Sequence, residues 1–190
     1  MKYIKLEIPE LILCEPTLHQ DNRGFVYESF KKESFNDFLG FEVNFCQDNT
    51  SFNKYGVIRG LHTNTLDFAQ SKLVSVLEGK ILDVAVDFRV GSPTFGKAIS
   101  IELSSENNKQ LFIPRGFLHG FSVLSQNALV MIKVDRYFAN NQSIGVKHND
   151  KKLNIDWKIP KVSEMLSDTD KNLKKFQELN SPFIYGKSYY

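Results

Sequence analysis

The chain has 190 residues, 42% of them hydrophobic, enough for one domain with a substantial core. Its 24 basic and 22 acidic side chains leave a formal charge of only +2, which argues against nucleic acid or a membrane surface as partner. Cys14 and Cys46 make no disulfide framework and have no partner at metal-ligand spacing, and no apolar run approaches the ~20 residues that span a bilayer.

From the N-terminus, Met1 to Ile8 alternates polar with apolar and carries Glu7, unlike a signal peptide, so a cytoplasmic protein is the expectation. Tyr3 to Ile8 and Gly24 to Phe30 read as half-buried strands, and Lys32 to Leu39 has room for about two helical turns. Lys72 to Leu77 and Lys80 to Phe88 are two more strands, joined by Glu78-Gly79, a dipeptide suited to a two-residue hairpin. In the second, Leu82, Val84, Val86 and Phe88 share one face; Ile81, Asp83, Ala85, Asp87 and Arg89 share the other. Carboxylates on that face require solvent or a polar cleft rich in partners.

Ala98 to Leu103, Gln110 to Ile113, His119 to Leu124 and Ala128 to Phe138 continue the strand pattern, with turns at Gly91-Ser92-Pro93 and Pro114-Arg115-Gly116. Ser163 to Leu179 reads as a longer C-terminal helix with a mixed-charge surface. Many short strands without a repeat or linker predict one all-β sandwich or barrel over residues 1–190, with few helices.

Four histidines are few enough to weigh singly. His62 closes Val57-Ile58-Arg59-Gly60-Leu61-His62, where a guanidinium three residues away suits an anionic ligand beside a reactive carbon. His119 opens a strand after a Pro/Gly turn and reads equally as ligand contact or core residue. His19 and His148 sit among turn-like polar residues. A metal-binding cupin presents two histidines one residue apart and a glutamate soon after; here Thr63 and Asn64 follow His62, so no metal is expected.

Several ordered blocks carry a resemblance. They are Asp21-Asn22-Arg23-Gly24-Phe25-Val26-Tyr27-Glu28, Gln47-Asp48-Asn49, Arg59-Gly60-Leu61-His62 and Gln70-Ser71-Lys72-Leu73-Val74. Asp83 to Arg89, Ser92-Pro93-Thr94-Phe95-Gly96, Ile113 to Phe121, Asn149-Asp150 and Ile155-Asp156-Trp157 follow. Together they resemble the dTDP-4-dehydrorhamnose 3,5-epimerase family. The resemblance implies a cupin jelly roll without metal or other cofactor, assembled as a homodimer with exchanged N-terminal strands. It implies a substrate that is a nucleotide-linked 4-keto-6-deoxy sugar, epimerised by proton removal next to the ketone.

By this resemblance His62 is the base, Asp170 orients it, and Lys72 holds the oxyanion developing at C4. Arg23 and Arg59 bind the pyrophosphate, with Gln47 and Asn49 alongside, while Glu28 contacts the nucleobase. His119, Tyr137 and His19 complete the binding set. On the residues alone, Asp170 reads equally as an exposed charge on a helix, and Lys72 as a solvated strand residue.

Two departures from the family pattern bear on function. The second catalytic residue, a tyrosine directly before a lysine, is Ile132 in Val130-Met131-Ile132-Lys133, and Tyr137 fits only the strand-end aromatic. Isoleucine has no proton to give. The expected consequences, in order, are epimerisation at C3 alone with water or another group as acid, movement of the ketone between C3 and C4, or binding without turnover. Full 3,5-epimerisation ranks below the first. Around the nucleobase, His19 stands for an aromatic ring, Thr63-Asn64 for Tyr-Gln, Ser143-Ile144 for an acid and an arginine, and His148 for a tryptophan. Imidazole still stacks on thymine, yet GDP and CDP become rivals of dTDP.

Overall fold

The computed structural model describes residues 1–139 and 142–190. In chain order the strands are β1 (Lys2–Lys5), β2 (Ile12–Glu15), β3 (His19–Asp21), β4 (Gly24–Val26), β5 (Gln47–Lys54), β6 (Ile58–Asn64), β7 (Lys72–Glu78) and β8 (Lys80–Asp87). They continue as β9 (Arg89–Val90), β10 (Ala98–Ser104), β11 (Gln110–Ile113), β12 (Phe117–Val123), β13 (Asn127–Val134), β14 (Ser143–Gly145) and β15 (Phe183–Ile184). Two α-helices, α1 (Lys32–Leu39) and α2 (Asp168–Lys171), are joined by short 3-10 turns. Among the described residues no helix is long and apolar enough to cross a membrane.

A six-stranded sheet in the order β1-β2-β11-β7-β13-β5 faces a five-stranded sheet in the order β10-β8-β12-β6-β14. Their inner faces share one core, with Val74, Leu111, Ile113 and Val130 from the first against Ile81, Ala85, Phe117 and Phe121 from the second. This is the cupin jelly roll: two sheets closing over an apolar floor and leaving a polar mouth at one end. Outside the five-stranded sheet, Leu82, Val84 and Val86 pack against Leu153, Trp157, Phe176 and Phe183 of the C-terminal segment. Outside the six-stranded sheet, α1 lays Phe35 over Ile12, Leu73 and Phe112. β8 therefore alternates between two apolar layers, with Asp83 and Asp87 as the buried polar exceptions.

The two faces read from the sequence of β8 are the two faces seen. The Asp83 and Asp87 carboxylates are buried in partner-rich surroundings. Asp87 accepts hydrogen bonds from Arg89, Ser92 and Thr94. Burial raises its pKa, and those bonds outweigh burial and hold it below the ordinary carboxylate value.

Other expectations need correction. Glu78-Gly79 does not close a hairpin: β7 pairs with β11 and β13, whereas β8 pairs with β10 and β12. The chain turns a corner there from one sheet to the other. Gly79 has φ +80°, and a Cβ on it would lie 2.0 Å from the Asn127 carbonyl oxygen. The long C-terminal helix is also absent. Only α2 and the 3-10 turns Lys161–Ser163 and Phe176–Glu178 form, because backbone groups of this segment bond to the barrel instead. Met165 N donates to the Gly56 carbonyl, and Lys147 N to that of Lys174. The strands near the two ends of the Gly24–Phe30 and Ala128–Phe138 stretches stop early, at Val26 and Val134.

Candidate active site

The site lies at the open end of the two facing sheets. β6 crosses β12 with Gly60 at its tightest point, where φ is +95° and a Cβ would sit 2.5 Å from the His119 carbonyl oxygen. That close approach lets His62 stand directly opposite His119 in the strand register. On its other side β6 pairs with β14, placing Gly145 against His62. A Cβ at Gly145 would come within 3.1 Å of the His62 ring and 2.5 Å of Leu173. The imidazole thus occupies a slot walled by backbone.

Asp170 reaches this slot from α2. Its Oδ1 lies 2.7 Å from His62 Nε2, with the aspartate side chain 6% exposed and the histidine side chain 38% exposed. The approach is close but oblique, and Oδ1 has no in-line donor among the described residues. Ser167 caps α2 by accepting from Asp170 N–H at 3.0 Å, and its hydroxyl donates to Asp170 Oδ2 at 2.9 Å. Burial pushes the Asp170 carboxyl up, but the His62 contact, the Ser167 hydroxyl and the Gly60 N–H together hold it below its ordinary value. Asp170 is therefore a fixed anion. A carboxylate beside Nε2 favours the tautomer that carries its proton there, which leaves Nδ1 as the basic nitrogen.

His119 is buried beside it and forms a second pair, with Nε2 2.7 Å from Asp83 Oδ1. Asp83 Oδ2 is buried without a hydrogen-bond partner. Its charge is felt by Lys72, which starts β7 on the facing sheet. Burial lowers the Lys72 pKa to about 8, while Asp135 and Asp83 pull it back up. Asp135 is anchored beside it by Ser71 N–H at 2.7 Å and by Arg115 at 2.8 Å. A half-buried ammonium aimed between the sheets suits a developing oxyanion.

Arg59 is exposed on β6 and tethered through Nε to Asn53 Oδ1 at 2.7 Å. On β5, Gln47 Nε2 donates to Asn49 Oδ1 at 2.7 Å, and Gln47 Oε1 accepts from Phe138 N at 3.1 Å. Both face the same side of the sheet as Ile132 and Val134, their register partners on β13. Ile132 packs against the inter-sheet core beside Val74, so no hydroxyl occupies the tyrosine position. Tyr137 lies beyond the end of β13 and is 71% exposed.

The remaining candidates stand apart. Arg23 bonds Asp21 at 2.6 Å, and the hollow of about 260 Å³ at its hairpin is lined by His19, Asp21, Arg23, Gly24, Phe25 and Val26 alone. Glu28, just beyond β4, is likewise exposed. His148 is buried against Glu164 at 3.2 Å. Asn53, Ser167 and Asp135 were not singled out from the sequence, and Asp83 was read only as a carboxylate needing partners, without His119 as that partner. Ser167-x-x-Asp170 carried a visible capping signal, but the roles of Asn53 and Asp135, and the pairing of Asp83, depend on which strands become neighbours.

Residues 5–178 match the family model described as dTDP-4-dehydrorhamnose 3,5-epimerase. A dTDP-4-dehydrorhamnose 3,5-epimerase from Shigella flexneri is 46% identical over 176 residues, covering 93% of this chain and 96% of that protein. The crystal structure of dTDP-6-deoxy-D-glucose-3,5-epimerase from Legionella pneumophila, in complex with dTDP-4-keto-L-rhamnose, superposes with a TM-score of 0.93 at 40% identity, covering 98% of this chain and 99% of that one. ChmJ, a 3'-monoepimerase from Streptomyces bikiniensis solved with dTDP-quinovose, gives a TM-score of 0.83 at 31% identity, covering 90% and 85% of the two chains. On the fold, the ordered motifs and these matches, the chain is an isomerase that belongs to the dTDP-4-dehydrorhamnose 3,5-epimerase family.

Proposed function

We propose that this protein epimerises a dTDP-linked 4-keto-6-deoxy sugar at C3 alone. The observation that carries the reading is His62 on the five-stranded sheet, paired with Asp170 of α2, and Lys72 on the facing sheet, with Ile132 where the family has its tyrosine. His62 Nδ1 removes the C3 proton, acidified by the neighbouring ketone, and Asp170 stabilises the imidazolium. Lys72 holds the enolate oxygen at C4. Arg59, Gln47 and Asn49 bind the diphosphate from the same chain. The dTDP moiety is favoured over GDP and CDP because relatives matching 98% and 90% of this chain were solved with dTDP-sugars.

Arg23, His19, Glu28 and Tyr137 complete the binding set in this reading. The β3–β4 hairpin keeps Arg23 and His19 in a hollow of their own, so they serve the partner subunit of a homodimer with exchanged N-terminal strands. Loss of the tyrosine removes the donor for the second centre, which is why inversion at C5 is not expected.

The test is NMR of dTDP-, GDP- and CDP-linked 4-keto-6-deoxy sugars in heavy water. Deuterium should enter C3 of the dTDP sugar with inversion, and C5 should keep its proton. Equal entry at C3 and C5 would establish double epimerisation, and movement of the ketone to C3 would establish isomerisation. Tight binding with no deuterium entry would make this a non-catalytic sugar-nucleotide-binding cupin. The His62→Ala variant should lose C3 exchange by roughly 10²–10⁴-fold, the usual worth of a general base.

A further inference from the structure

Inversion at C3 needs two opposed groups: one removes the proton from one sugar face and another delivers a proton to the other face. With His62 on the five-stranded sheet, the six-stranded sheet is the surface that faces it across the mouth. Its inner face at the mouth is defined by register. Lys72, Val134 and Gln47 form one row, and Val74, Ile132 and Asn49 the next. Deeper rows enter the apolar core at Val76 and Val130. Among these six side chains, the two carboxamides and the three hydrocarbons have no proton to release near neutral pH. Lys72 alone has one.

We propose that Lys72 is the acid of this enzyme, returning a proton to C3 on the face opposite His62. This rests on the C3-epimerase reading above. The step balances without any co-reactant. His62 Nδ1 takes the C3 proton, the C–H electron pair becomes the C3–C4 double bond, and the carbonyl pair moves to O4. The enolate then collapses, re-forming the C4 carbonyl as C3 takes a proton from the Lys72 ammonium. The products are imidazolium and neutral amine, and solvent resets both. Lys72 is placed for this by its surroundings: Asp135, pinned by Ser71 N–H and Arg115, lies on one side, and Asp83, bonded to His119, faces it across the sheets. Burial brings the ammonium down to about 8 against those two carboxylates, close to the working pH where proton donation is most effective.

The decisive quantity is the ratio of deuterium entry at C3 to inversion at C3, measured on a dTDP-4-keto-6-deoxy sugar in heavy water. Lys72→Arg keeps a cation at O4 but cannot release a proton. It should raise the ratio by about tenfold or more, since His62 still removes and returns the proton on one face. Ile132→Tyr in the Lys72→Arg background should bring the ratio back toward its native value. In the native protein, inversion should fall more steeply than deuterium entry as pH rises above about 8, because the neutral Lys72 loses both its proton and its hold on O4 while deuterium entry loses only the second, so the ratio should climb. A ratio that stays constant in Lys72→Arg and across this pH range overturns the assignment and leaves water as the acid. Should Lys72→Arg lose both reactions through misfolding, the native pH series decides alone. Full deuterium entry in His62→Ala, by contrast, would refute the base and the underlying epimerase reading, separately from Lys72.

Discussion

His62 and Asp170 show how one short contact sets a chemical role. A neutral imidazole half open to the cleft is an indifferent base until a buried carboxylate holds one nitrogen and favours the cation. Asp170 can do this because its pKa is held low: its charge is present above the ordinary value near 3.9 and is lost only as pH falls further. Asp170→Asn keeps shape but not charge. It should lower kcat by roughly 10²–10⁴-fold, with KM for the dTDP sugar changed less than about threefold, because binding energy lies elsewhere. A large KM change with unaltered kcat would assign Asp170 to binding. Both residues were legible in the sequence only through the family pattern, since neither composition nor spacing tells a paired aspartate from a solvated one.

At the scale of elements, the site depends on how β6 and α2 are held. Gly60 permits the close crossing of β6 and β12, and Ser167 starts α2 at the point that aims Asp170 inward. Gly60→Ala combines a positive φ with a backbone clash, so it should cost well over ~1 kcal/mol and lower both Tm and turnover. Ser167→Ala removes a cap worth about 1 kcal/mol, so Tm should drop by roughly 2–4 °C, and the rate should fall as Asp170 loses a hydrogen bond. Thermal melts beside turnover separate the two effects; unchanged rate with lowered Tm would make Ser167 purely structural. The same scale explains the misread elements. Glu78-Gly79 has hairpin chemistry, but local sequence does not distinguish a turn within a sheet from a corner between sheets. Gln47–Lys54 is a strand despite its polar composition, because it sits at a sheet edge lining the mouth.

For the whole molecule, the β3–β4 hairpin is the outlying part. Leu18, Phe25 and Val26 are 42%, 55% and 68% exposed, three large apolar side chains left open to solvent among the described residues. Together with Arg23 on the same hairpin, this supports the proposed dimer with exchanged N-terminal strands. A mixing experiment checks it. His62→Ala and Arg23→Ala proteins, each nearly inactive, should regain activity when unfolded together and refolded, since one site of the mixed dimer then holds His62 from one chain and Arg23 from the other. No regain, with mixed dimers present by mass, would place Arg23 in its own chain's site.

The sequence by itself determined the all-β class, the two-faced pattern of β8, the position of α1 and, through ordered motifs, the family, whose pattern is what proposes His62, Asp170 and Lys72 as the catalytic set. These are properties of periodicity and of residues in fixed order along the chain. Only the tertiary structure decided that Asp83 pairs with His119, that Asn53 tethers Arg59, that Asp135 stands beside Lys72, and that Arg23 pairs with Asp21 in a hollow lined by its own hairpin. The physical reason is that each of those facts depends on register between strands distant in sequence. Register is chosen by how both apolar layers pack at once, not by any local run of residues.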